Sequence, residues 1–357
     1  MNMDLKVNIS PALTFSWMKI NDDHIKLETG ELGVLDSKAD IPEGISVSKG
    51  DHDWSKVKAG CGKDVAALIS DVKGDIPLFE TSKDKSYSKP LVLRLKATAA
   101  GVYKAVVKLA PGSELTVIEH TDSDIPEGFA AVSVKYILGE GAKLTLVKSQ
   151  TLGDKFIYID DMGSELADNA VFEVFRTDLG ALKAYQGCNS ELTGEASSFK
   201  VLGSYYLRGS QLLDFNYIAS HDGKMTESDM RFNGVLKDES MKTFRGTLDF
   251  KSGCSGAVGA EYEDVMLLTD GVGTRSLPII LCGEEDVVGE HGASVGQIPD
   301  VVLFYLMSRG FSREACENML INSRLNTTIS KISDEEIKKI ILDYLKNKLD
   351  LRSIDEE

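Results

Sequence analysis

The feature that most constrains this chain is a strand pattern repeated at a nearly constant period. Four segments share one form, in which a polar or glycine-containing turn precedes alternating apolar residues. Their first apolar residues, Leu115, Leu144, Phe172 and Phe199, lie 29, 28 and 27 positions apart. A β-solenoid requires such a period, with a second strand between the marked ones, because each coil stacks its apolar residues on those of the next.

A β-sandwich with evenly spaced hairpins would produce the same period, so the period alone leaves both folds open. Most junctions between the predicted strands lack the Asn-Gly and Asp-Gly pairs that form two-residue hairpin turns. The chain has 32 glycines and only 8 prolines among 357 residues, so its turns are made mostly with glycine. The turn chemistry favours the solenoid.

Three regions follow from these patterns. Residues 1–90 are predicted to form a mixed α/β cap, with a helix at 62–72 and an extended segment at 14–20. Residues 91–296 form the β-solenoid, and residues 297–357 form a helical region. Caps on both ends would cover the unpaired strand edges and the open core of the solenoid.

The C-terminal region carries start and stop signals for three helices. Pro299 can open the first helix and Gly310 can close it. Ser312 can cap the second helix. Ser333 and Glu336 form the capping-box pattern that predicts the start of the third.

The charge of the chain excludes some classes of partner. Forty Lys and Arg residues oppose 56 Asp and Glu residues, a formal net charge of −16, which repels nucleic acids and anionic membranes. No stretch approaches the roughly 18 apolar residues of a spanning helix, and the N-terminus shows no basic segment followed by an apolar block. We therefore expect a cytoplasmic protein that binds neither nucleic acid nor a membrane.

Motifs for nucleotide and zinc sites are missing. The segment 61–64 superficially matches part of a phosphate loop, but Val57 stands where the first glycine is required and Asp64 replaces the Ser or Thr. Neither Cys-x-x-Cys nor His-Glu-x-x-His occurs. If the protein works in an energy-coupled process, we expect the nucleotide to bind to a partner.

The five cysteines are widely spaced, and we expect them to be reduced. Cys254 and Cys282 lie 28 residues apart, one solenoid period, so this spacing would place them on neighbouring coils about 4.8 Å apart. Two buried small apolar residues are the alternative interpretation. Glu284, Glu285 and Asp286 form a carboxylate cluster of the kind found in carbohydrate-active β-helix enzymes, or simply a solvated acidic turn.

Three motifs occur in order between positions 244 and 310: Phe-Arg-Gly-Thr at 244–247, Glu-Asp-Val at 285–287 leading into Glu-His-Gly-Ala at 290–293, and Leu-Phe-Tyr-Leu-Met-Ser-Arg-Gly at 303–310. This sequence resembles the SufB/SufD family of iron–sulfur cluster assembly proteins. The segments 11–19 and 221–224 also resemble short bacterial SufD-like members.

The resemblance implies a right-handed parallel β-helix with a mixed α/β cap at its N-terminus and a helical region at its C-terminus. It also implies a scaffold without enzymatic turnover, which pairs with a SufB-type paralogue or with a second copy of itself. A transient iron–sulfur cluster would form at the subunit interface, and the resemblance leaves flavin binding open. A SufC-type ATPase would dock on the C-terminal helices, at Val301, Leu303, Phe304, Tyr305, Met307 and Arg309.

The resemblance also identifies candidate site residues. The cysteine that SufB uses for assembly falls at Glu263, and the interface cysteine of many SufD proteins falls at Gly289, so both thiols are replaced. The SufD interface histidine is matched by His291, which could bind iron or be a hydrogen-bonded residue at the interface. Beside it, Glu290 could serve as an oxygen ligand. Cys254 and Cys282 are the replacement thiol candidates.

These replacements favour a SufD-like partner subunit over a scaffold that builds a cluster alone. Two alternatives stay open. One is a homodimeric scaffold that acts without SufB, and the other is a carbohydrate-active β-helix enzyme.

Overall fold

The computed structural model describes residues 2–13, 16–50 and 52–348. Six strands precede the central repeats: β1 (Asn2–Val7), β2 (Asp23–Glu28), β3 (Gly33–Val34), β4 (Asp36–Asp40), β5 (Ser46–Gly50) and β6 (Ile76–Glu80). Eight odd-numbered strands follow in the repeats: β7 (Leu91–Ala97), β9 (Glu114–Ser123), β11 (Lys143–Gln150), β13 (Val171–Asp178), β15 (Ser198–Leu207), β17 (Glu227–Leu236), β19 (Ala257–Leu267) and β21 (Val287–Gln297). The even-numbered strands between them are β8 (Gly101–Leu109), β10 (Glu127–Leu138), β12 (Lys155–Leu166), β14 (Lys183–Leu192), β16 (Leu212–His221), β18 (Met241–Phe250) and β20 (Gly273–Cys282).

These strands build a parallel β-helix. In the described residues, the odd-numbered strands from β7 to β21 pair successively in one sheet, and the even-numbered strands from β6 to β20 pair successively in another. We call these the odd sheet and the even sheet. Every pair formed between two strands from β7 onwards is parallel. A sandwich of hairpins would pair its strands antiparallel, so the predicted solenoid is confirmed.

The predicted register is also confirmed. Leu144 pairs with Leu115 on one side and with Phe172 on the other, and Phe172 pairs in turn with Phe199. All four side chains are buried in the core between the sheets, which we call the lumen. The coil length varies along the solenoid, because Ile157 pairs with Lys183, 26 residues on, whereas Met241 pairs with Gly273, 32 residues on.

Four α-helices complete the described fold: α1 (Lys63–Asp71), α2 (Asp300–Ser308), α3 (Arg313–Ile329) and α4 (Glu335–Lys348). Apolar residues of α1 and of the β1–β2 hairpin pack on the outer face of the even sheet. Apolar residues of α3 and α4 pack on the outer face of the odd sheet. The helices therefore cover the sides of the β-helix. The expectation that C-terminal helices close the open end is wrong, because their apolar faces match the outward apolar residues of the odd sheet.

The two ends of the β-helix differ. At the N-terminal end, β4 adds to the odd sheet against β7, while β5 and β6 extend the even sheet. At the C-terminal end, β20 and β21 are the last strands of their sheets, and no further described strand pairs with them. Nine of the eleven residues of β21 are exposed, so this end of the lumen, which we call the mouth, meets solvent.

Most predicted helix signals are confirmed. The helix α1 lies within the predicted range, Pro299 and Ser312 are the N-caps of α2 and α3, and Gly310 follows α2 with a φ of +99°. The Ser312 hydroxyl accepts a hydrogen bond from the Ala315 N–H at 3.1 Å.

Two local predictions are wrong. The third helix begins at Glu335, and its cap is Asp334, whose Oδ1 accepts a hydrogen bond from the Ile337 N–H, one residue later than the predicted Ser333 cap. The other Asp334 carboxylate oxygen lies 2.7 Å from the Arg94 guanidinium on the odd sheet, and this ion pair holds Asp334 in the capping position. The predicted extended segment contains a 3₁₀ turn at Ser16–Met18, stabilised by a hydrogen bond from Lys19 N–H to the Ser16 carbonyl. Residues 14 and 15 of that prediction lie outside the described residues.

Among the described helices, none combines the length and the apolar character that crossing a bilayer requires.

Candidate functional site

The lumen contains two groups of charged side chains. The first, which we call the inner cluster, lies in the middle coils on inward-facing strand positions. Lys148 Nζ lies 2.6 Å from carboxylate oxygens of both Glu119 and Asp160. Arg176 contacts Asp160 and forms a second ion pair with Asp178 at 2.7 Å. All five side chains are almost completely buried.

Burial and ion pairing act against each other in the inner cluster. Burial raises the pKa of Glu119, although Lys148 opposes the shift. Burial acts on Asp160 in the same direction, but Lys148 and Arg176 together hold its pKa below the usual value. Each carboxylate thus has a cationic neighbour, and we interpret this cluster as a closed structural network.

The second group, which we call the mouth cluster, lies in the last coils and includes Glu263, one of the two positions at which the resemblance expects a cysteine. Lys242 Nζ lies 2.6 Å from Glu263 Oε1, and both side chains are at most 1% exposed. The Tyr205 hydroxyl donates to Glu263 Oε1 at 3.0 Å, and the Ser276 hydroxyl donates to Oε2. Burial lowers the pKa of Lys242, and the charge of Glu263 opposes that shift. Glu263 is therefore neutralised within the chain.

Glu261 belongs to the mouth cluster but has no such partner. Its side chain is 1% exposed, and neither carboxylate oxygen makes a hydrogen bond of normal geometry with the described residues. Burial raises the pKa of Glu261 to about 8; the nearby Glu263 charge adds to the shift and the Ile279 N–H opposes it. Burying an ionised carboxylate without a cationic partner costs free energy, which is the reason that burial raises this pKa.

Gly246, the glycine of the Phe-Arg-Gly-Thr motif, makes room for this carboxylate. A Cβ atom at position 246 would lie 1.9 Å from Glu261 Oε2, so any other residue there would force this carboxylate to move. Gly246 pairs with Pro278 on β20. The motif therefore leaves a space beside Glu261 bordered by a glycine and a proline, neither of which has a polar side chain.

His291 lies on β21, in register with Glu261 on β19. In parallel strands, residues in register point to the same face and lie about 4.8 Å apart, so the imidazole faces the mouth of the lumen. Glu290 points to the opposite face, where it accepts a hydrogen bond from the Tyr262 hydroxyl at 2.7 Å. Glu290 and His291 are neighbours in the sequence, but their side chains point to opposite faces of β21, and His291 is the one that faces the mouth.

The predicted alignment of Cys254 with Cys282 is wrong. Cys282 is in register with Phe250, because the coil between β18 and β20 has 32 residues instead of 28. Cys254 lies in the turn after β18 and is fully buried. Cys282 ends β20, is exposed and points its Sγ at the Glu284 carbonyl oxygen. Both thiols are free.

Within residues 2–13, 16–50 and 52–348, no three His, Cys, Asp or Glu side chains are grouped closely enough to hold a metal ion. The segment Gly292 to Gly296 matches the Gly-x-Ser-x-Gly pattern of serine hydrolases, but it lies inside β21 instead of at a strand-to-helix turn. This segment therefore does not form a nucleophile elbow.

The predicted docking residues on and after α2 are mostly at the surface. Val301 is 72% exposed and Phe304 74% exposed, and Tyr305 and Met307 are also exposed. Arg309 is exposed too, and its guanidinium lies 5.2 Å from the Tyr305 ring centre. Leu303 is the exception, since it is 5% exposed and packs in the core between the odd sheet and the helices. Its placement on the surface was wrong, because it lies on the one face of α2 that turns inward.

The sequence analysis missed Glu261 and the inner cluster, although a signal for the cluster was present. Counting four residues on from Leu115, Leu144 and Phe172 gives Glu119, Lys148 and Arg176, the inward positions at which alternating apolar residues give way to charges. Which of these charges are neutralised depends on residues of the other sheet, such as Asp160, and the period does not specify them.

The chain is similar to known proteins over most of its length. A family model described as "SUF system FeS cluster assembly, SufBD core domain" matches residues 94–324, more than half of the chain. The iron–sulfur cluster assembly protein SufD of Bacillus subtilis (strain 168) is 32% identical over 142 residues, covering 40% of this chain and 32% of that protein.

Two further relatives match a longer segment. A SufBD family iron–sulfur cluster assembly protein of Mycobacterium leprae is 24% identical over 246 residues, covering 67% of this chain and 62% of the relative. SufD of Escherichia coli (strain K12) is 23% identical over 244 residues, covering 67% of this chain and 57% of the relative. The matched segment spans less than two thirds of each of these three relatives.

Proposed function

Because the chain belongs to the SufBD family of iron–sulfur cluster assembly proteins, we propose that it is a scaffold subunit of the Suf machinery without enzymatic turnover of its own. It pairs with a SufB-type paralogue through the mouth of the β-helix and docks a SufC-type ATPase through α2. A transient iron–sulfur cluster forms at the paired mouths as the cargo of the complex.

The observation that carries this proposal is the exposed pair of edge strands beside His291. A strand at the edge of a sheet presents unpaired N–H and C=O groups, which pair readily with a strand from another chain. Both β20 and β21 are such strands, and β21 is exposed along almost its whole length. Val288, on the outer face, and Val295, on the face that carries His291, are 51% and 44% exposed. Pairing here would bury them and enclose His291 between two subunits.

The mouth cluster supports a partner that supplies thiolates. Glu263, which the resemblance aligns with the SufB cysteine, is neutralised by Lys242 and hydrogen-bonded to Tyr205. Gly289, which the resemblance aligns with the SufD cysteine, has no side chain that could bind a metal. His291 is then the contribution of this chain to the cluster, with sulfur ligands coming from the SufB-type subunit.

A second copy of this chain is the second candidate partner. The observation that favours it is Cys282, a free and exposed thiol at the end of edge strand β20. In a symmetric pair, each subunit would bring one such thiol and one His291 to the shared interface.

The surface of α2 supports the docking of an ATPase. Soluble proteins rarely expose several large apolar side chains on one short helix unless that surface binds a partner. The exposed side chains Phe304, Tyr305 and Met307 belong to a nine-residue helix at the end of the β-helix that carries the mouth. Movement of a docked ATPase would thus act close to the paired strands. The absence of a phosphate-loop motif from this chain is consistent with this division of labour.

Co-expression with the cognate SufB-type and SufC-type proteins tests the proposal. We expect a ternary complex on size-exclusion chromatography and a loss of cluster formation in His291→Ala, with Glu290→Gln as a matched control on the opposite face of β21. The proposal would be contradicted if the chain formed neither this ternary complex nor a homodimer of itself that binds the ATPase. It would also be contradicted by a complex in which His291→Ala builds clusters normally.

A further inference from the structure

The N-terminal cap carries a surface that the proposed function does not use, a groove that runs along one face of α1. Three adjacent cavities of about 530, 400 and 340 Å³ form this groove. The first two share Trp54 and Ser70, and the last two share Val72 and Lys104. The groove is lined by the segment 54–59, by α1, and by strands β3 to β6 and β8, and we call it the basic groove.

The charged side chains of the basic groove are almost all positive. Among the described residues that line it, seven are lysines and one, Asp75, is acidic. Two of the lysines, Lys58 and Lys135, are neutralised by carboxylates of strands β14 and β12. The exposed lysines that form no ion pair with a described residue are Lys49, Lys63 and Lys73. The groove therefore concentrates positive charge in a chain whose net charge is −16.

The start of α1 adds to this positive charge. Gly62 is the N-cap of α1, and it has no side chain that could accept hydrogen bonds from the first N–H groups of the helix. Beyond Lys63, small side chains at Ala66, Ala67 and Ser70 form the α1 face of the groove. From Lys63 to Ser70 the helix rises about 10 Å, which is the length of about three residues of extended chain.

The far end of the basic groove is apolar. Val34, Ile41 and Val47 line the third cavity and are 58%, 44% and 43% exposed. The buried side chains of Phe79 and Tyr103 line the same cavity. Exposed apolar side chains that are grouped around a concave surface are typical of binding sites. A ligand that fills the whole groove thus carries negative charge along most of its length and an apolar group at one end.

We infer that the basic groove binds an extended acidic segment of a partner protein, with a large apolar side chain of that segment in the cavity beside Ile41. A peptide fits because it can carry carboxylates and an apolar side chain on one strand. A nucleic acid fits less well, because its backbone is charged throughout and the net charge of −16 repels any part of it outside the groove. The groove lies at the opposite end of the β-helix from the mouth, so the inference depends on neither pairing nor ATPase docking.

Fluorescence anisotropy of the full chain with labelled synthetic peptides tests the inference. Each peptide has about ten residues, roughly 30 Å when extended, and consists of Glu with one Leu near either its N-terminus or its C-terminus. We expect binding that weakens as the salt concentration rises, and a loss of affinity of about tenfold in the double variant Lys63→Glu/Lys73→Glu. The matched control is Lys143→Glu/Lys339→Glu, which changes the net charge equally at exposed lysines outside the groove and should retain the wild-type affinity.

A variant at Ile41 tests the apolar end separately. Ile41→Ser changes an exposed side chain, so the variant is expected to fold. It should weaken binding of the better Leu-containing peptide by about fivefold, and it should not affect a peptide in which Ala replaces the Leu.

Three results would overturn the inference. The first is that neither peptide binds the wild-type chain. The second is equal affinity of the two double variants for the peptide, or an equal effect of Ile41→Ser on the Leu-containing and Ala-containing peptides. The third is tighter binding of a single-stranded oligonucleotide than of either peptide, with the same dependence on Lys63 and Lys73, because the groove would then be a nucleic-acid site.

Discussion

The inner cluster and the mouth cluster use the same kind of residue at the same kind of position, but they differ in how the charges are balanced. Both lie at inward positions where charges replace apolar residues. In the inner cluster, Lys148 and Arg176 contact every carboxylate, and coils on both sides close the network. In the mouth cluster, Glu261 lacks a partner and the next coil ends at an exposed strand. From this difference we expect the inner cluster to stabilise the β-helix and the buried Glu261 to destabilise it.

The largest expected effect comes from breaking the inner cluster. Arg176→Met leaves Asp160 and Asp178 with fewer cationic partners in a buried site, and we expect the free energy of unfolding to fall by about 3–5 kcal/mol. Urea denaturation followed by circular dichroism measures this change. A loss below about 1 kcal/mol would mean that the network is not closed as described.

The next effect is a pH dependence of the free energy of unfolding, caused by His221 in the closed part of the lumen. His221 is buried, its two ring nitrogens contact Thr226 and Ser228 hydroxyls, and its ring stacks on Phe250. Burial lowers the pKa of His221 to about 4. The unfolded chain binds a proton near pH 6.5 and the folded chain does not, so this group costs stability as the pH falls from about 6.5 to about 4. The total cost is about 3 kcal/mol.

Comparing wild-type protein with His221→Gln measures this contribution. The variant should be less stable at pH 7 because it loses the hydrogen bonds and the ring stacking, but its unfolding free energy should fall less steeply between pH 6.5 and pH 4. Equal slopes in the two proteins would show that His221 is not held neutral in the folded state.

The mouth cluster should respond in the opposite direction to the inner cluster. Glu261→Gln removes a buried carboxyl group that has no cationic partner and whose ionisation burial disfavours, and we expect the free energy of unfolding at pH 7 to rise by about 1–2 kcal/mol. The inner-cluster variant Glu119→Gln is the matched control and should lose stability, because Glu119 contacts Lys148. If both Gln variants lose stability, the contrast between the two clusters fails.

The smallest effect on stability is expected at α2. Its adjacent residues Leu303 and Phe304 should act differently, because the buried Leu303 contributes to stability and the exposed Phe304 to partner binding. Phe304→Ser changes an exposed side chain and should alter the unfolding free energy by less than about 0.5 kcal/mol, while weakening ATPase binding by about tenfold or more. Leu303→Ala should instead cost about 2–5 kcal/mol, because Leu303 is buried. Binding of the SufC-type partner, measured by calorimetry, would be unchanged in Phe304→Ser if this surface has no docking role.

The parts of the fold that depend on local pattern could be predicted from the sequence. Leu115, Leu144, Phe172 and Phe199 stack as their spacing indicates, because each coil must place its apolar residues over those of the next. The alignment of Cys254 with Cys282 failed because the same period was extended to a coil of 32 residues. A period averaged over several coils does not detect extra residues in one of them.

The candidate site was harder to predict, because its character depends on contacts across the lumen. His291 was identified from a motif, but its alignment with Glu261 follows from the strand register. The lack of a cationic partner for Glu261 depends on the opposite sheet, where Gly246 lies beside its carboxylate and Pro278 pairs with Gly246. Neither relation leaves a signal in the local sequence around position 261.

The central claim is that the mouth is the surface through which the subunits pair. Hydrogen–deuterium exchange of the chain alone, and of the chain in complex with its SufB-type partner or as a homodimer, tests it most directly. We predict that the amides of β20 and β21 exchange quickly when unpaired and become protected on pairing, while the amides of β10 and β12 stay protected in both states. Unchanged exchange in β20 and β21, with new protection at β4 and β5 at the opposite end, would contradict the account.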